Sequence, residues 1–175
     1  GQGHALALLN LGVCYEQGDG ALKNLSKAAE FYRKAAEQGL ALAEYNLGLC
    51  YYAGQGVPQD YNMTAYWWQR AAKQGLASAQ YNLGKSYQHG LGVNKDAEKG
   101  AKRLHRAASQ GYAQAQFSLA VCYEEGDGVP QNASEAANYY RKAAESGLSA
   151  AQHSLGLLYA RGRGLSQSFA QAVHW

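Results

Sequence analysis

Apolar and polar residues follow one another in a pattern that repeats every 36 positions along this 175-residue chain. Leucine recurs in one column of the repeat, at Leu11, Leu47, Leu83, Leu119 and Leu155. Tyrosine recurs in a second column, at Tyr15, Tyr51, Tyr87, Tyr123 and Tyr159. A fixed period of this length is typical of stacked supersecondary units. The sequence therefore predicts about five units, approximately 5–40, 41–76, 77–112, 113–148 and an incomplete 149–175.

Each unit is predicted to contain two helices, A and B. In the second unit an apolar stripe at helical spacing marks helix A, with Ala43, Leu47, Cys50 and Tyr51. Two glycine columns end helix A, and a column of N-cap residues begins helix B, with Asn24, Asp60, Asp96, Asn132 and Ser168. We expect helix A of the second unit to start near Ala41 and helix B near Tyr61, with no strand in the joint between them.

The glycine-rich joints "CYEQGDG" (14–20) and "CYEEGDG" (122–128) combine acids with glycines, as metal loops and phosphate cradles do. A metal loop needs oxygen ligands at fixed offsets. The columns of these acids hold Tyr52, Ala53 and Arg161 in other units, and no strand precedes the glycines. We therefore interpret the joints as turns between helices and predict no metal, no cofactor and no catalytic residue.

Composition narrows the partner classes only slightly. The net charge of +3 is too small to indicate nucleic-acid binding. No stretch reaches the roughly 18 apolar residues of a transmembrane helix, so none is expected. Three N-x-S/T motifs begin at Asn24, Asn62 and Asn132. Capping accounts for the first and the last, which leaves open whether the chain works in the cytoplasm or in a secretory or organelle lumen.

The segments "AEYNLGLCYYAGQGVPQDYNMTAYWWQRAAKQG" (43–75) and "AQFSLAVCYEEGDGVPQNASEAANYYRKAAESG" (115–147) resemble the Sel1-like repeat family, which is related to tetratricopeptide repeats. The resemblance covers the whole chain. It implies an all-α, right-handed α-solenoid whose A helices line a concave face, forming a single domain over residues 1–175 within a longer protein. It also implies a non-enzymatic scaffold or adaptor that binds a protein or peptide.

The cysteines bear on the alternative that the protein is an enzyme. Cys14, Cys50 and Cys122 share one column, and helices of adjacent units lie about 8–10 Å apart. That separation exceeds the ~7 Å limit for a disulfide, so we expect three free thiols. A disulfide-stapled bacterial branch of the family, with reported penicillin-directed activity, pairs two cysteines within each repeat. This chain lacks the pairing, and a chromogenic β-lactam would test the activity directly.

We expect the partner to bind along the exposed columns of the A helices. The candidate residues are Leu6, Leu9, Val13, Leu42, Tyr45, Leu49, Tyr52, Tyr81, Lys85, Phe117 and Val121. Those of the first two units are too apolar for a solvated surface, and large exposed apolar patches usually mark contacts. Tyr45 and Leu49 are expected to lie outside the core between neighbouring repeats. A covering segment of flanking sequence and self-association into a homo-oligomer are the competing interpretations.

A basic patch is predicted on helix B of the third unit. It contains Lys95, Lys99, Lys102, Arg103 and Arg106. Only Asp96 and Glu98 offset this charge locally. The patch is either a solvated helix face or a surface for an acidic partner or membrane headgroup, and the second alternative predicts binding that weakens with salt.

Overall fold

The computed structural model describes residues 2–175, and over that range it contains ten α-helices and no strand. The helices are α1 Gln2–Gln17, α2 Leu25–Glu37, α3 Ala41–Ala53, α4 Tyr61–Lys73, α5 Ala77–His89, α6 Ala97–Ser109, α7 Ala113–Glu125, α8 Ala133–Glu145, α9 Ser149–Arg161 and α10 Phe169–His174. Odd-numbered elements are A helices and even-numbered elements are B helices. The predicted all-α repeat fold and the predicted helix starts at Ala41 and Tyr61 are confirmed.

Every B helix begins at the predicted N-cap column. Asn24, Asp60, Asp96, Asn132 and Ser168 all have extended backbone, and each side chain accepts a hydrogen bond from an amide of the first helical turn. Such caps satisfy amides that have no partner inside the helix. The backbone amide of Asp60 also donates to the carbonyl of Tyr51 at 3.0 Å, which ties the start of α4 to the last turn of α3.

The two glycine columns have different roles in the joints. Gly54 ends α3 in the left-handed conformation, with φ of 67°, and its amide donates to the carbonyl of Cys50. Gly56 also has positive φ, at 75°, and a Cβ there would lie 2.0 Å from the carbonyl oxygen of Leu25. The first column therefore ends the A helix. The second lets the joint approach the first turn of the preceding B helix.

The chain forms two compact units, one up to Asn94 with α1–α5 and one from Lys95 with α6–α10. In the first unit a core surrounds Tyr32, Leu47 and Trp67, and a neighbouring cluster surrounds Trp68 and Leu83. In the second unit the alanines of α8 pack with Tyr140, Leu155 and Leu158. Small residues in fixed columns let the helices approach closely, so within each compact unit neighbouring helix pairs share a core.

The three cysteines are free thiols. Cys50 and Cys122 are buried, and Cys14 is half-buried. Removal from water disfavours the thiolate and raises the pKa of Cys50 to about 11. These thiols serve as small apolar side chains in the packing between helices. Among the described helices, none combines the length and the hydropathy that a bilayer span requires.

Replacing Leu47 with alanine should lower the free energy of unfolding by about 2–5 kcal/mol, because a fully buried leucine leaves a cavity. Leu47 has no exposed surface, whereas Leu11, in the same column, is 44% exposed. The matched Leu11→Ala variant should lose about 1 kcal/mol or less. Urea unfolding followed by circular dichroism measures both values. Equal losses of unfolding free energy in the two variants would contradict the assignment of this leucine column to the core between neighbouring repeats.

Candidate functional site

The A helices of the first compact unit, which are α1, α3 and α5, carry an exposed apolar face. Leu6 of α1 is 49% exposed, and Leu42, Leu49 and Tyr52 of α3 are 45%, 36% and 42% exposed. Tyr81 and Lys85 of α5 are half-buried, and Lys85 shares the column of Leu49. We call this set the A face, formed by Leu6, Leu42, Leu49, Tyr52, Tyr81 and Lys85. Apolar side chains that remain exposed in one folded region are typical of contact surfaces.

Three predicted members of this face lie deeper than the sequence analysis placed them. Leu9 is only 5% exposed and belongs to the core of the first unit, so its prediction as a surface residue is wrong. Val13 is half-buried against the same core. Tyr45 packs on the cluster of Trp68 and Leu83, so the expectation that it lies outside the core is also wrong. Leu9 and Tyr45 occupy the same column of the repeat. The shorter leucine is buried in the core, whereas the tyrosine packs along the edge of the core.

The A face contains a cavity of about 440 Å³ between α3, α4 and α5, which we call the α3–α5 pocket. Four predicted site residues line it: Leu49, Tyr52, Tyr81 and Lys85. Sequence analysis missed the other lining residues, which are Trp68, Asn82, Ser86, His89 and Leu91. The pocket is therefore the place where the structure brings predicted residues of two A helices together.

Aromatic rings form one side of the α3–α5 pocket. The ring centroid of Trp68 lies 5.6 Å from that of Tyr52 and 6.4 Å from that of Tyr45. Tyr52 also contacts Tyr61 at 5.8 Å. The indole Nε1 of Trp68 donates to the carbonyl of Tyr45 at 3.3 Å, which fixes the indole orientation. Rings held at these distances offer a rigid apolar surface with little side-chain entropy left to lose.

Polar groups of α5 border the aromatic side. Asn82 Nδ2 donates to the phenol oxygen of Tyr45 at 3.2 Å. Burial raises the pKa of Tyr45, so the phenol stays neutral. Lys85 and His89 follow at helical spacing and also line the pocket. Lys85 is the one feature of the sequence that indicates this polar border, because a charged residue stands where the other repeats have an aliphatic one. The aliphatic residues of this column are Val13, Leu49, Val121 and Leu157.

A buried carboxylate in the first turn of α3 has a structural role. Glu44 is 1% exposed and accepts hydrogen bonds from Arg70 Nε and Gln74 Nε2, both at 2.8 Å. The hydrogen bond to Tyr66 and then the contact with Glu44 raise the pKa of Arg70. The third, fourth and fifth repeats have glutamine in the Glu44 column and the first has Leu8. Gln80 donates to the carbonyl of Ala72 instead. Glu44 is therefore satisfied within the protein, by Arg70 and Gln74.

In the second compact unit, which begins at Lys95, the two predicted A-helix residues Phe117 and Val121 are half-buried. Phe117 contacts the ring of Tyr140 at 5.5 Å, and Val121 packs on the same core. The phenol of Tyr140 donates to Glu124 at 2.8 Å, and Tyr32 makes the equivalent bond to Glu16 at 2.6 Å in the first unit. Burial, followed by these hydrogen bonds, raises the pKa of both tyrosines. These joint acids thus connect helix A to helix B.

Most of the predicted basic patch is exposed. Lys95, Lys99, Lys102 and Arg106 are exposed, and Arg103 is half-buried. Lys99 pairs with Asp96 at 2.9 Å, and Lys102 pairs with Glu98 at 2.7 Å. The backbone amide of Lys99 and then its ammonium lower the pKa of Asp96. Local carboxylates therefore offset part of the charge, as in an ordinary solvated helix. No group of three or more potential metal ligands occurs within residues 2–175.

Comparison with known proteins identifies the repeat. A family model for the Sel1 repeat matches residues 5–40, 41–76, 77–112, 113–148 and 149–175. The chain belongs to the Sel1 repeat family. Sel1 repeats generally mediate protein–protein interactions. No protein of curated function matches the chain.

Two solved Sel1 structures are similar over nearly the whole chain. A protective antigen of uropathogenic Escherichia coli strains is 43% identical, with a TM-score of 0.95 over 98% of this chain. This chain spans 37% of the length of that antigen. A Sel1 repeat protein from Oxalobacter formigenes is 33% identical over 99% of this chain and 69% of its own, with a TM-score of 0.93. Cysteine rich protein B of Helicobacter pylori, at 24% identity over 74% of this chain and 92% of its own, shares the fold, with a TM-score of 0.59.

Proposed function

We propose that this Sel1 repeat chain is a non-enzymatic interaction module whose A face binds an apolar segment of a partner protein. The observation that carries the proposal is the α3–α5 pocket, where Leu49 and Tyr52 remain exposed beside the fixed ring of Trp68. Binding pockets for peptide segments gain most of their affinity from a few such anchors. An amphipathic helix or an extended segment can supply the anchoring side chain.

The pocket favours a partner over a purely structural role. The core side chains of the same unit, such as Leu47 and Leu83, have no exposed surface. Leu42, Leu49 and Tyr52 are exposed although they belong to α3, the same apolar helix as Leu47. Their apolar area is removed from water when a further segment covers it, and each buried Å² contributes about 25 cal/mol. This difference within one helix separates the A face from the core.

A peptide selection with the full 175-residue chain tests the proposal. Peptides retained from a random library should slow amide hydrogen exchange in α3 and α5 and leave α6 unchanged. The Lys102→Glu/Arg106→Glu variant should bind the same peptide within about twofold, because exposed charges outside the site contribute little. Protection confined to α6, or loss of binding in that variant, would move the site to the basic patch. Concentration-dependent dimerisation that protects α3 and α5 without peptide would identify a second copy as the occupant.

A further inference from the structure

We propose that the α3–α5 pocket selects a partner segment in which a carboxylate side chain lies next to the apolar anchor. This inference rests on the proposed function and adds the chemistry of the partner. It is carried by Lys85, which lines the pocket together with the packed rings of Tyr52 and Trp68. A partner that fills the pocket with an apolar side chain alone would cover this ammonium without a counter-charge.

The placement of Lys85 is unusual within the repeat. The four other repeats have valine or leucine in its column, and Lys85 is itself half-buried. A lysine at the edge of an apolar cavity loses part of its hydration when a partner covers it, and that loss is unfavourable unless an anion replaces the water. A carboxylate one or two residues from the anchor is the simplest group on a protein segment that can do so.

The pocket contains no internal competitor for the ammonium group. None of the described residues that line the pocket is a carboxylate. Two acids of the first unit are engaged elsewhere, Glu16 with Tyr32 and Glu44 with Arg70. His89, one helical turn beyond Lys85, is exposed and adds an N–H donor on the same border. The charge on this border is therefore positive and available to an acidic segment.

The pocket size and the aromatic side define the rest of the segment. A cavity of about 440 Å³ holds one large apolar side chain together with the group beside it. The rings of Tyr52 and Trp68 suit a leucine, phenylalanine or tryptophan anchor. The inferred motif is therefore one large apolar residue with aspartate or glutamate one or two positions away.

An array of 12-residue peptides tests the inference. Each peptide has a central leucine, phenylalanine or tryptophan, and the flanking positions carry glutamate or, in the matched peptide, glutamine. The 175-residue chain should retain the glutamate peptides about fivefold more strongly than their glutamine counterparts, the scale of one partly exposed ion pair. Lys85→Met should keep binding but lose this preference, and Lys85→Glu should reverse it. Lys73→Glu, which changes an exposed lysine of α4 outside the pocket, should keep it.

The outcomes separate this inference from the proposed function. Retention of peptides without a glutamate preference, or a preference that survives Lys85→Met, would overturn the inference and leave the proposed function standing. Failure of the wild-type chain to retain any peptide with an apolar anchor would overturn both. A glutamate preference that Lys73→Glu also abolishes would show a general charge effect and would likewise overturn the inference. Circular dichroism of each variant confirms that it is folded.

Discussion

Replacing Gly56 with alanine should lower the free energy of unfolding by about 3–5 kcal/mol, near the upper end of single-substitution effects. A Cβ at this position would lie 2.0 Å from the carbonyl oxygen of Leu25 and 2.9 Å from the amide nitrogen of Ser26. Both atoms belong to the backbone at the start of α2, so no side-chain rotation can relieve the clash. The joint after α3 must then move away from α2, and the packing between the first two repeats is lost.

Gly20 offers a matched control for this prediction. It occupies the same column and has a φ of 70°, close to the 75° of Gly56, but no atom lies within 4 Å of its Cβ position. Gly20→Ala should therefore cost only the left-handed backbone term, about 1–2 kcal/mol. Urea unfolding of both variants, followed by circular dichroism at 222 nm, measures the difference. Equal destabilisation would mean that backbone conformation alone, and not close approach between repeats, explains this glycine column.

The periodic part of the structure was predictable because each repeat column has one physical requirement. The N-cap column needs a short polar acceptor, and all five of its members cap a B helix, from Asn24 to Ser168. The first glycine column needs positive φ, which Gly54 shows at 67°. These requirements are local, so the sequence alone locates the helices and the joints.

The candidate site was predictable only in part, because it depends on residues that do not repeat. The period gives the column of a side chain but not its depth, which is why Leu9 was misplaced on the surface. Tyr45 was misplaced because its packing depends on Trp68 of the B helix, in a column that holds Tyr32 and Leu104 elsewhere. Leu49, Tyr52, Tyr81 and Lys85 were among the A-helix residues predicted to be exposed, and the structure brings these four together in the α3–α5 pocket. Asn82 and Leu91 required the structure.

This contrast separates the residues that set the fold from those that set recognition. Columns that are uniform across the repeats, such as that of Leu47, are buried wherever a neighbouring helix pair covers them. The A-face columns vary from repeat to repeat, and Lys85 stands where other repeats have valine or leucine. A solenoid can change its partner by altering such variable positions while the packing columns stay fixed. The α3–α5 pocket combines several of these variable positions.

Replacing both Leu49 and Tyr52 with alanine should remove about 2–4 kcal/mol of binding to a peptide selected by the wild-type chain, the scale of central anchor residues. Both side chains line the α3–α5 pocket and are more than a third exposed, so the fold depends on them little. The melting temperature should fall by only a few degrees, through the lost ring contacts of Tyr52 with Trp68 and Tyr61. Fluorescence polarisation of the labelled peptide measures the affinity, and calorimetry measures the melting temperature.

Two single variants complete the design, one in an exposed joint outside the pocket and one on the core beside it. Leu22→Ala removes a leucine that is 92% exposed outside the pocket, and it should leave both the affinity and the melting temperature unchanged. Tyr45→Ala removes a half-buried ring that packs on Trp68 and accepts a hydrogen bond from Asn82, so it should lower the melting temperature clearly. If the Leu49→Ala/Tyr52→Ala chain unfolds while the Leu47→Ala chain stays as stable as wild type, the faces of α3 are assigned backwards. The proposed binding site is then wrong, because its residues would belong to the core.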